Sequence, residues 1–437
     1  LRPPTYSSRI AAILRSKCET CHRPGQIAPF SLQTYGQARA WARDIRTAVE
    51  NHQMPPWKPV PHYGEFRDAP AMGLTEAQRA DLLAWCNRGA PLGDPRRVPP
   101  PAHFANDWKL GTPDMVLQPD RGFHVPAEGE DVYRNFALKT NFTEDRYLSA
   151  IEVKPGARAV VHHILLYCDP RADSDRFASR WNDGQPGYGG ATGINRTSML
   201  GGWAPGNEPP VMPEGTALRI PKGANVVLQI HYHLNGKEAW DRTAIGLHFA
   251  RSRVTKVIYT PMAVDVVFKI PAGDPHYELA FNSVLGHDYH LIAVSPHMHL
   301  LGRDMKVWAT LPDGSQRPII WINDWDLSWQ NTYVLKEPMA LPAGTKINVL
   351  AHFDNSDDNP RNPHRGHLVD VTWGESTLDE MCIAFLGVTK DDEQLDIRPN
   401  APPPSPDLAG GRRAAPGAPD PGAASAAPAR SDVVARP

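Results

Sequence analysis

The sequence predicts a mainly β protein: two tandem antiparallel β-sandwich domains, jelly-roll-like, preceded by a small α-helical domain. Three observations carry this. From Trp108 to about Val388, short apolar runs recur between Pro-Gly, Asp-Gly and Asn-Gly signals, the pattern of strands joined by turns. Helical periodicity is scarce in that stretch and concentrated ahead of it. Proline is abundant, 45 of 437 residues, which suits many short strands better than long helices. The strand-rich stretch is too long for one sandwich, so it is divided into residues 108–253 and 254–397.

Composition removes several classes of function. With 41% hydrophobic and 22% charged residues, the chain has an ordinary globular make-up. A net charge of -2 gives no footprint for nucleic acid and no attraction to an anionic membrane surface. No apolar run approaches the roughly 18 residues that span a bilayer.

The first 95 residues carry the clearest motif, Cys18-Glu-Thr-Cys21-His22. Two thiols three residues apart lie on one face of a helical turn and reach the two vinyl groups of a haem, and the next residue turns His22 onto the iron. A second Cys pair that would complete a zinc site is missing. The sixth ligand is expected downstream at Met54, where Met54-Pro-Pro-Trp57 follows an amphipathic segment over residues 38–49 and resembles the distal-ligand loop of small class I cytochromes c. His52 and Met72 are the rival ligands. A closing helix is expected over residues 75–87, with Leu74, Leu82, Leu83 and Trp85 as its apolar face and Gly89-Ala-Pro91 as its stop. Residues 96–107 form a Pro-rich linker. Covalent haem attachment takes place outside the cytoplasm, so the protein is expected to be periplasmic or secreted. The opening Leu1-Arg-Pro-Pro4 is read as a processed N-terminus.

The middle of the chain reads as strands at residues 225–233, 256–260, 289–294, 305–310, 319–322 and 346–352. Three histidine clusters fall inside such segments: His162-His163, His231-Tyr-His233 and His297-Met-His299. Residues i and i+2 share a strand face, so an H-x-H pair chelates one ion without distortion. Adjacent His162 and His163 point to opposite faces, and sharing an ion demands different ring nitrogens or a local twist. Imidazole-rich sites with few carboxylates suit zinc or copper, and a thioether partner tips the choice to copper.

Four segments in order, Val161-His-His-Ile-Leu-Leu-Tyr, Leu228-Gln-Ile-His-Tyr, Pro296-His-Met-His-Leu-Leu-Gly302 and Asp379-Glu-Met-Cys-Ile-Ala-Phe385, resemble the type II copper, ascorbate-dependent monooxygenases. That family includes peptidylglycine α-hydroxylating monooxygenase and dopamine β-monooxygenase. The resemblance covers about residues 108–388. It implies an electron-storing copper on His162, His163 and His231, and a catalytic copper on His297, His299 and Met381, facing each other across an open, solvated cleft. It also implies a glutamine near the first copper at Gln229, and leaves His233 as a supporting or surface residue. Peptide-amidating members clamp a substrate carboxylate with Arg, Asn and Tyr at positions that here hold Ser295, Ile383 and Phe385, so an uncharged substrate is expected. With Cys18 and Cys21 on haem, Cys86, Cys168 and Cys382 remain. No disulfide is expected within either sandwich. Residues 398–437, rich in Pro and Ala, are expected to be disordered.

The whole implies a copper-dependent monooxygenase using O2 on an unknown organic substrate, with two copper ions and one haem c. A periplasmic donor or external ascorbate supplies the electrons. The alternative is a periplasmic electron-transfer or copper-binding subunit without that activity. The purified protein should carry one covalent, low-spin haem with the weak near-infrared band of Met–iron ligation. Met54→Ala should abolish the band while the haem stays attached; a surviving band assigns the ligand to Met72 or another group.

Overall fold

Helices form where the sequence spaces apolar residues at three and four and supplies caps. The helix Glu76–Asn87 starts at Thr75, whose hydroxyl accepts from the Gln78 N–H while the Gln78 side chain accepts from the Thr75 N–H. Leu82 and Trp85 are buried from it against Tyr6, Ile10 and Leu14, and Leu74 and Leu83 pack around the same core. The chain leaves through Gly89 at φ 77°, a conformation that suits glycine. Residues 38–49, expected as one amphipathic segment, form parts of two helices, Tyr35–Ala40 and Ala42–Glu50. The break falls at Trp41, whose ring stacks on Phe30 at 4.0 Å.

The computed structural model describes residues 3–398, except 101, 103, 105–107, 130, 191, 195–198, 375 and 377. Part of the expected linker, and the expected tail beyond Arg398, therefore lie outside the described residues. Strand outweighs helix, 36% against 15%, so the protein is mainly β.

Two groups of sheets follow the helices. In the first, Val132–Lys139, Asn225–Tyr232, Val161–Asp169 and Met199–Trp203 form one sheet in that order. A second sheet runs Met115–Leu117, Ala244–Phe249, Arg146–Lys154, Thr216–Ile220 and Lys256–Val257. Their shared core includes Ile164, Leu166, Leu228 and Ile230 from one sheet and Leu148, Leu218 and Ile245 from the other. In the second group, Met262–Val264, Cys382–Lys390, Tyr289–Met298 and Tyr333–Leu341 form one sheet, and Tyr277–Val284, Lys346–Phe353, Gly302–Thr310 and Gln316–Ile322 the other. Val294, Met298 and Leu386 meet Val307, Val349 and Ala351 between them. Pairing is antiparallel throughout the named strands except between Lys256–Val257 and Thr216–Ile220.

Side chains alternate along these strands, and the alternation creates a third apolar layer. Ile164, Leu166 and Cys168 of Val161–Asp169, and Cys382, Ala384, Leu386 and Val388 of Cys382–Lys390, lie in their own cores. The odd-numbered Leu165, Tyr167, Met381, Ile383 and Phe385 join Val227 and Met199 in one buried cluster shared by both groups. Residues 57–67 do not stay with the N-terminal helices. Phe66 enters the core of the second group, Val60 N–H donates to Trp321 at 2.8 Å, and Arg67 N–H donates to Val334 at 2.9 Å.

Asp241 ties down the strand that carries His231. Its buried carboxylate accepts from the Tyr232 hydroxyl, the Thr243 hydroxyl and N–H, and the Ala157 N–H. Asp241→Ala leaves these donors buried and unpaired and should cost about 3 kcal/mol or more in urea unfolding; Tyr232→Phe, which removes a single donor, should cost about 1 kcal/mol.

Candidate functional site

The strand Val161–Asp169 pairs with Asn225–Tyr232 so that Val161 lies opposite Tyr232 and His163 opposite His231. His162 is the extra residue of a β-bulge between them. The bulge removes the difficulty of adjacent histidines, because it lets both rings swing to the face that already carries His231. The Nδ1 atoms of His162 and His231 each lie 3.4 Å from Nδ1 of His163, and the three rings offer ligand atoms within 4.8 Å of one another. Two nitrogens about 2.0 Å from one ion at a tetrahedral angle stand about 3.3 Å apart, so these nitrogens already have the spacing of metal ligands.

Its electrostatics suit a cation held by neutral imidazoles. Burial lowers the His162 pKa to about 4, with the charges of His231 and His233 acting the same way, and burial lowers His163 and His231 as well. His231 Nε2–H donates to Asp131 at 2.8 Å, which fixes its tautomer and leaves Nδ1 as the ligand. Burial alone raises the Asp131 carboxyl; the hydrogen bonds and charges of His231 and His233 overcome this and hold it down at about 2. Exposed His233 reaches Asp131 at 3.1 Å, so it supports the cluster through the carboxylate. Tyr133 stacks on His231 at 4.3 Å. Gln229 lies two residues before His231 and opposite Leu165.

The second cluster stands at the end of the strand Tyr289–Met298. His297 and His299 are buried with ring centroids 5.1 Å apart at 89°. Met381, fully buried, belongs to the same inward-facing layer, together with Phe385, whose ring lies 6.4 Å from His297. His299 Nδ1–H donates to the Asp379 carbonyl at 3.0 Å and His297 Nδ1–H donates to Gln330 Oε1, so each ring carries its lone pair on Nε2. Glu380 holds the backbone in place: its carboxylate accepts from the N–H groups of His299 at 2.8 Å, Leu301 at 2.7 Å and Met381 at 3.0 Å. Burial pushes its pKa up to about 8 against those donors.

The open, solvated cleft expected between the clusters is not what the structure contains. His163, His231, His297 and His299 are all at most 7% exposed. Gln330, itself buried, spans the gap, with its amide nitrogen 3.5 Å from His163 Nε2 and its oxygen on His297. The apolar layer around Met381 closes the rest.

At the N-terminus, Cys18 and Cys21 follow the helix Ala11–Lys17, and burial raises both thiols, to about 12 and about 11. His22 packs 4.5 Å from Phe30. Burial lowers its pKa, opposed by the Phe30 backbone, and its Nδ1 is buried without a well-formed hydrogen bond. Of the candidate sixth ligands, His52 is exposed, with Nδ1 2.9 Å from Arg79. Met54 is half-buried after the helix Ala42–Glu50. Met72 meets Cys21 at Gly206, where a Cβ would lie 3.8 Å from Met72 Cε and 3.5 Å from Cys21 Sγ. All five cysteines are unpaired; Cys168 and Cys382 sit in separate cores.

No family model matches the chain. It is 24% identical over 270 residues to human DBH-like monooxygenase protein 1, covering 56% of this chain and 42% of that one. The mouse protein of that name is 21% identical over 292 residues, covering 60% and 45%. The chain thus spans less than half the length of these relatives. The similarity covers part of each chain and is low in identity. Among solved structures, the major capsid protein P2 of bacteriophage PM2 aligns over 64% of this chain and 99% of its own, at 11% identity and TM-score 0.23, too low to bear on fold or function.

Asp131 would act on a metal held at the first cluster through its hydrogen bond to His231. Asp131→Asn should weaken metal binding at the first cluster by about 10–100-fold in a competition titration with a chelator and leave the second cluster's affinity unchanged.

Proposed function

We propose that the protein is a copper-dependent monooxygenase that hydroxylates a C–H bond of an uncharged substrate, with electrons supplied through a c-type haem in its N-terminal segment. The observation that carries this is the convergence of the His162, His163 and His231 ring nitrogens, with a second imidazole pair, His297 and His299, nearby and the buried Met381 in the apolar layer between the two groups of sheets. Both fit copper by donor type, and only the second offers sulfur. Copper bound there supplies one-electron redox chemistry and O2 activation, with one oxygen atom passing to the substrate and the other leaving as water.

The protein's own residues divide the remaining work. His162, His163 and His231 would hold the first ion, with Asp131 fixing the His231 tautomer. His297, His299 and Met381 would hold the second, on a backbone that Glu380 clamps. Cys18, Cys21 and His22 would hold the haem, and Gly206 lies beside the Cys21 thiol. Gly206 lies just past the strand Met199–Trp203, in which Trp203 pairs with Ile164, the neighbour of His163. That short path favours electron passage from haem to the first cluster.

Substrate chemistry follows from what lines the second cluster. A pocket of about 60 Å³ is walled by Phe385, whose ring lies 6.4 Å from His297, and by Ser295, Thr332, Ile292 and Met199, with no charged side chain among its described residues. Ser295 is hydrogen-bonded to Thr332 at 2.8 Å, and Ile383 is fully buried. A carboxylate would find no cation there, which favours an uncharged group. Activity outside the cytoplasm belongs to the same proposal, since c-type haem is attached there.

Met381→His tests the reading. A thioether is softer than imidazole, so the variant should retain copper but lose the Cu–S signal in X-ray absorption. Incorporation of labelled O2 into product should fall by orders of magnitude while haem reduction is intact. An unchanged Cu–S signal removes Met381 from the site. Absence of oxygen uptake by the loaded, reduced wild type favours the electron-transfer or copper-binding alternative.

A further inference from the structure

We propose that residues 326–331 form a gate over the imidazole clusters, latched shut by the hydrogen bond between Asn207 and Asn331. The proposal rests on the clusters being metal sites, as proposed above. The segment joins two strands of the second group, Gln316–Ile322 and Tyr333–Leu341, yet its middle rests on the first group. The Trp329 ring is 6.4 Å from that of His162, and the Gln330 amide nitrogen is 3.5 Å from His163 Nε2. Asn207 Nδ2 donates to Asn331 Oδ1 at 3.0 Å. On its other side Gln330 Oε1 takes the His297 Nδ1 proton, so one short segment touches both clusters.

His163 and His231 are 3% and 5% exposed, so an ion reaches their nitrogens only if some wall moves. The strands that carry them do not supply that movement, because Val161–Asp169 and Asn225–Tyr232 are each paired on both edges. Tyr133, which covers His231, stands on a third strand of the same sheet. Residues 326–331 lie outside every strand. They hold one 3-10 turn, Leu327–Trp329, closed by the Asp326 carboxylate on the Ser328 N–H at 2.9 Å, so the turn moves as a block. Both ends of the segment are fixed in the second group. Trp325 is buried, with its indole N–H on the His299 carbonyl at 3.1 Å, and Tyr333 is buried in the core beyond Thr332. The middle is held more lightly. The Gln330–His163 contact is at the outer limit of a hydrogen bond, which leaves the Asn207–Asn331 bond and the Trp329 ring to keep the segment down. Fixed ends and a lightly held middle are the mechanics of local opening. Displacing the block uncovers His162 and His163 and frees His297 together.

The test times metal exchange rather than turnover. The full chain, with haem attached, is loaded anaerobically with copper(I). Release to an excess of a colour-forming chelator and uptake from a weak copper(I) complex are followed by stopped flow. Asn207→Ala and Asn331→Ala each remove the latch without altering a ligand, and each should speed both uptake and release by about fivefold, as loss of one neutral hydrogen bond does. The double variant should be no faster than either single one, because both remove the same bond. Trp329→Ala should speed both rates as well. Equilibrium affinity should be unchanged in all of them, since the gate closes over filled and unfilled clusters alike. Asn207 is only half-buried, so its variant decides the matter even where Trp329→Ala fails to fold. Unchanged rates in the asparagine variants overturn the gate. Faster release with unchanged uptake also overturns it, because the segment then merely supports the ligands. Wild type that takes up no copper overturns the gate and the copper reading together, whereas copper exchange without oxygen uptake counts against the monooxygenase reading alone.

Discussion

A one-residue bulge at His162 is the constraint on which the first imidazole cluster depends. Without it, strict alternation would send His162 or His163 into the core that holds Ile164 and Leu166, where an unpaired imidazole costs several kcal/mol. With it, Val161 and Ile164 stay in register with Tyr232 and Ile230, and both histidines face outward with His231. The same period of two then sends Leu165, Tyr167 and Val227 outward to meet Met381, Ile383 and Phe385. One extra residue thus brings three imidazoles together and preserves the sheet layer that closes over them.

Closure by that layer sets the chemistry available to the histidines. Low exposure disfavours imidazolium, so the rings keep free lone pairs in acid where a solvated histidine would be charged. Two carboxylates serve the clusters by opposite means. Asp131 is kept charged by histidines and sets a tautomer, whereas Glu380 is surrounded by backbone N–H groups and sets a turn. Neither points a ligand oxygen at a metal. That is consistent with imidazole and thioether, rather than carboxylate, as the binding chemistry.

Much of this was legible in the sequence, and the reasons for the rest are physical. Spacing revealed the H-x-H pair and the Cys-x-x-Cys-His motif, because those geometries are local. The cap at Thr75 and the stop at Gly89 are local as well. Gln330, Glu380 and Asp131 were missed because nothing local marks them; Gln330 is 167 residues from His163, and its role exists only once two sheets face each other. A buried carboxylate beside a ligand methionine, Glu380-Met381, was the one available signal. The segment around Phe66 was assigned to the helical domain by position, yet its apolar side chains pack better in a core that the second group of sheets leaves open at its edge. Trp41 broke an amphipathic pattern because stacking on Phe30 outweighed helical continuity, a tertiary effect that periodicity does not register.

Gln330 shows how the two clusters depend on each other. Its amide has one oxygen that accepts and one nitrogen that donates. In the structure the oxygen takes the His297 Nδ1 proton and the nitrogen faces His163 Nε2 as an acceptor. A His163 that gives its Nδ1 lone pair to a metal carries its proton on Nε2, and that N–H then faces the donating side of the amide. His297 in its metal-binding tautomer also presents an N–H. Two donors meeting one amide from opposite sides share a single acceptor, so the bridge as it stands matches filling of the second cluster and opposes filling of the first. With both clusters in their metal-binding tautomers, the amide oxygen as placed serves His297 alone.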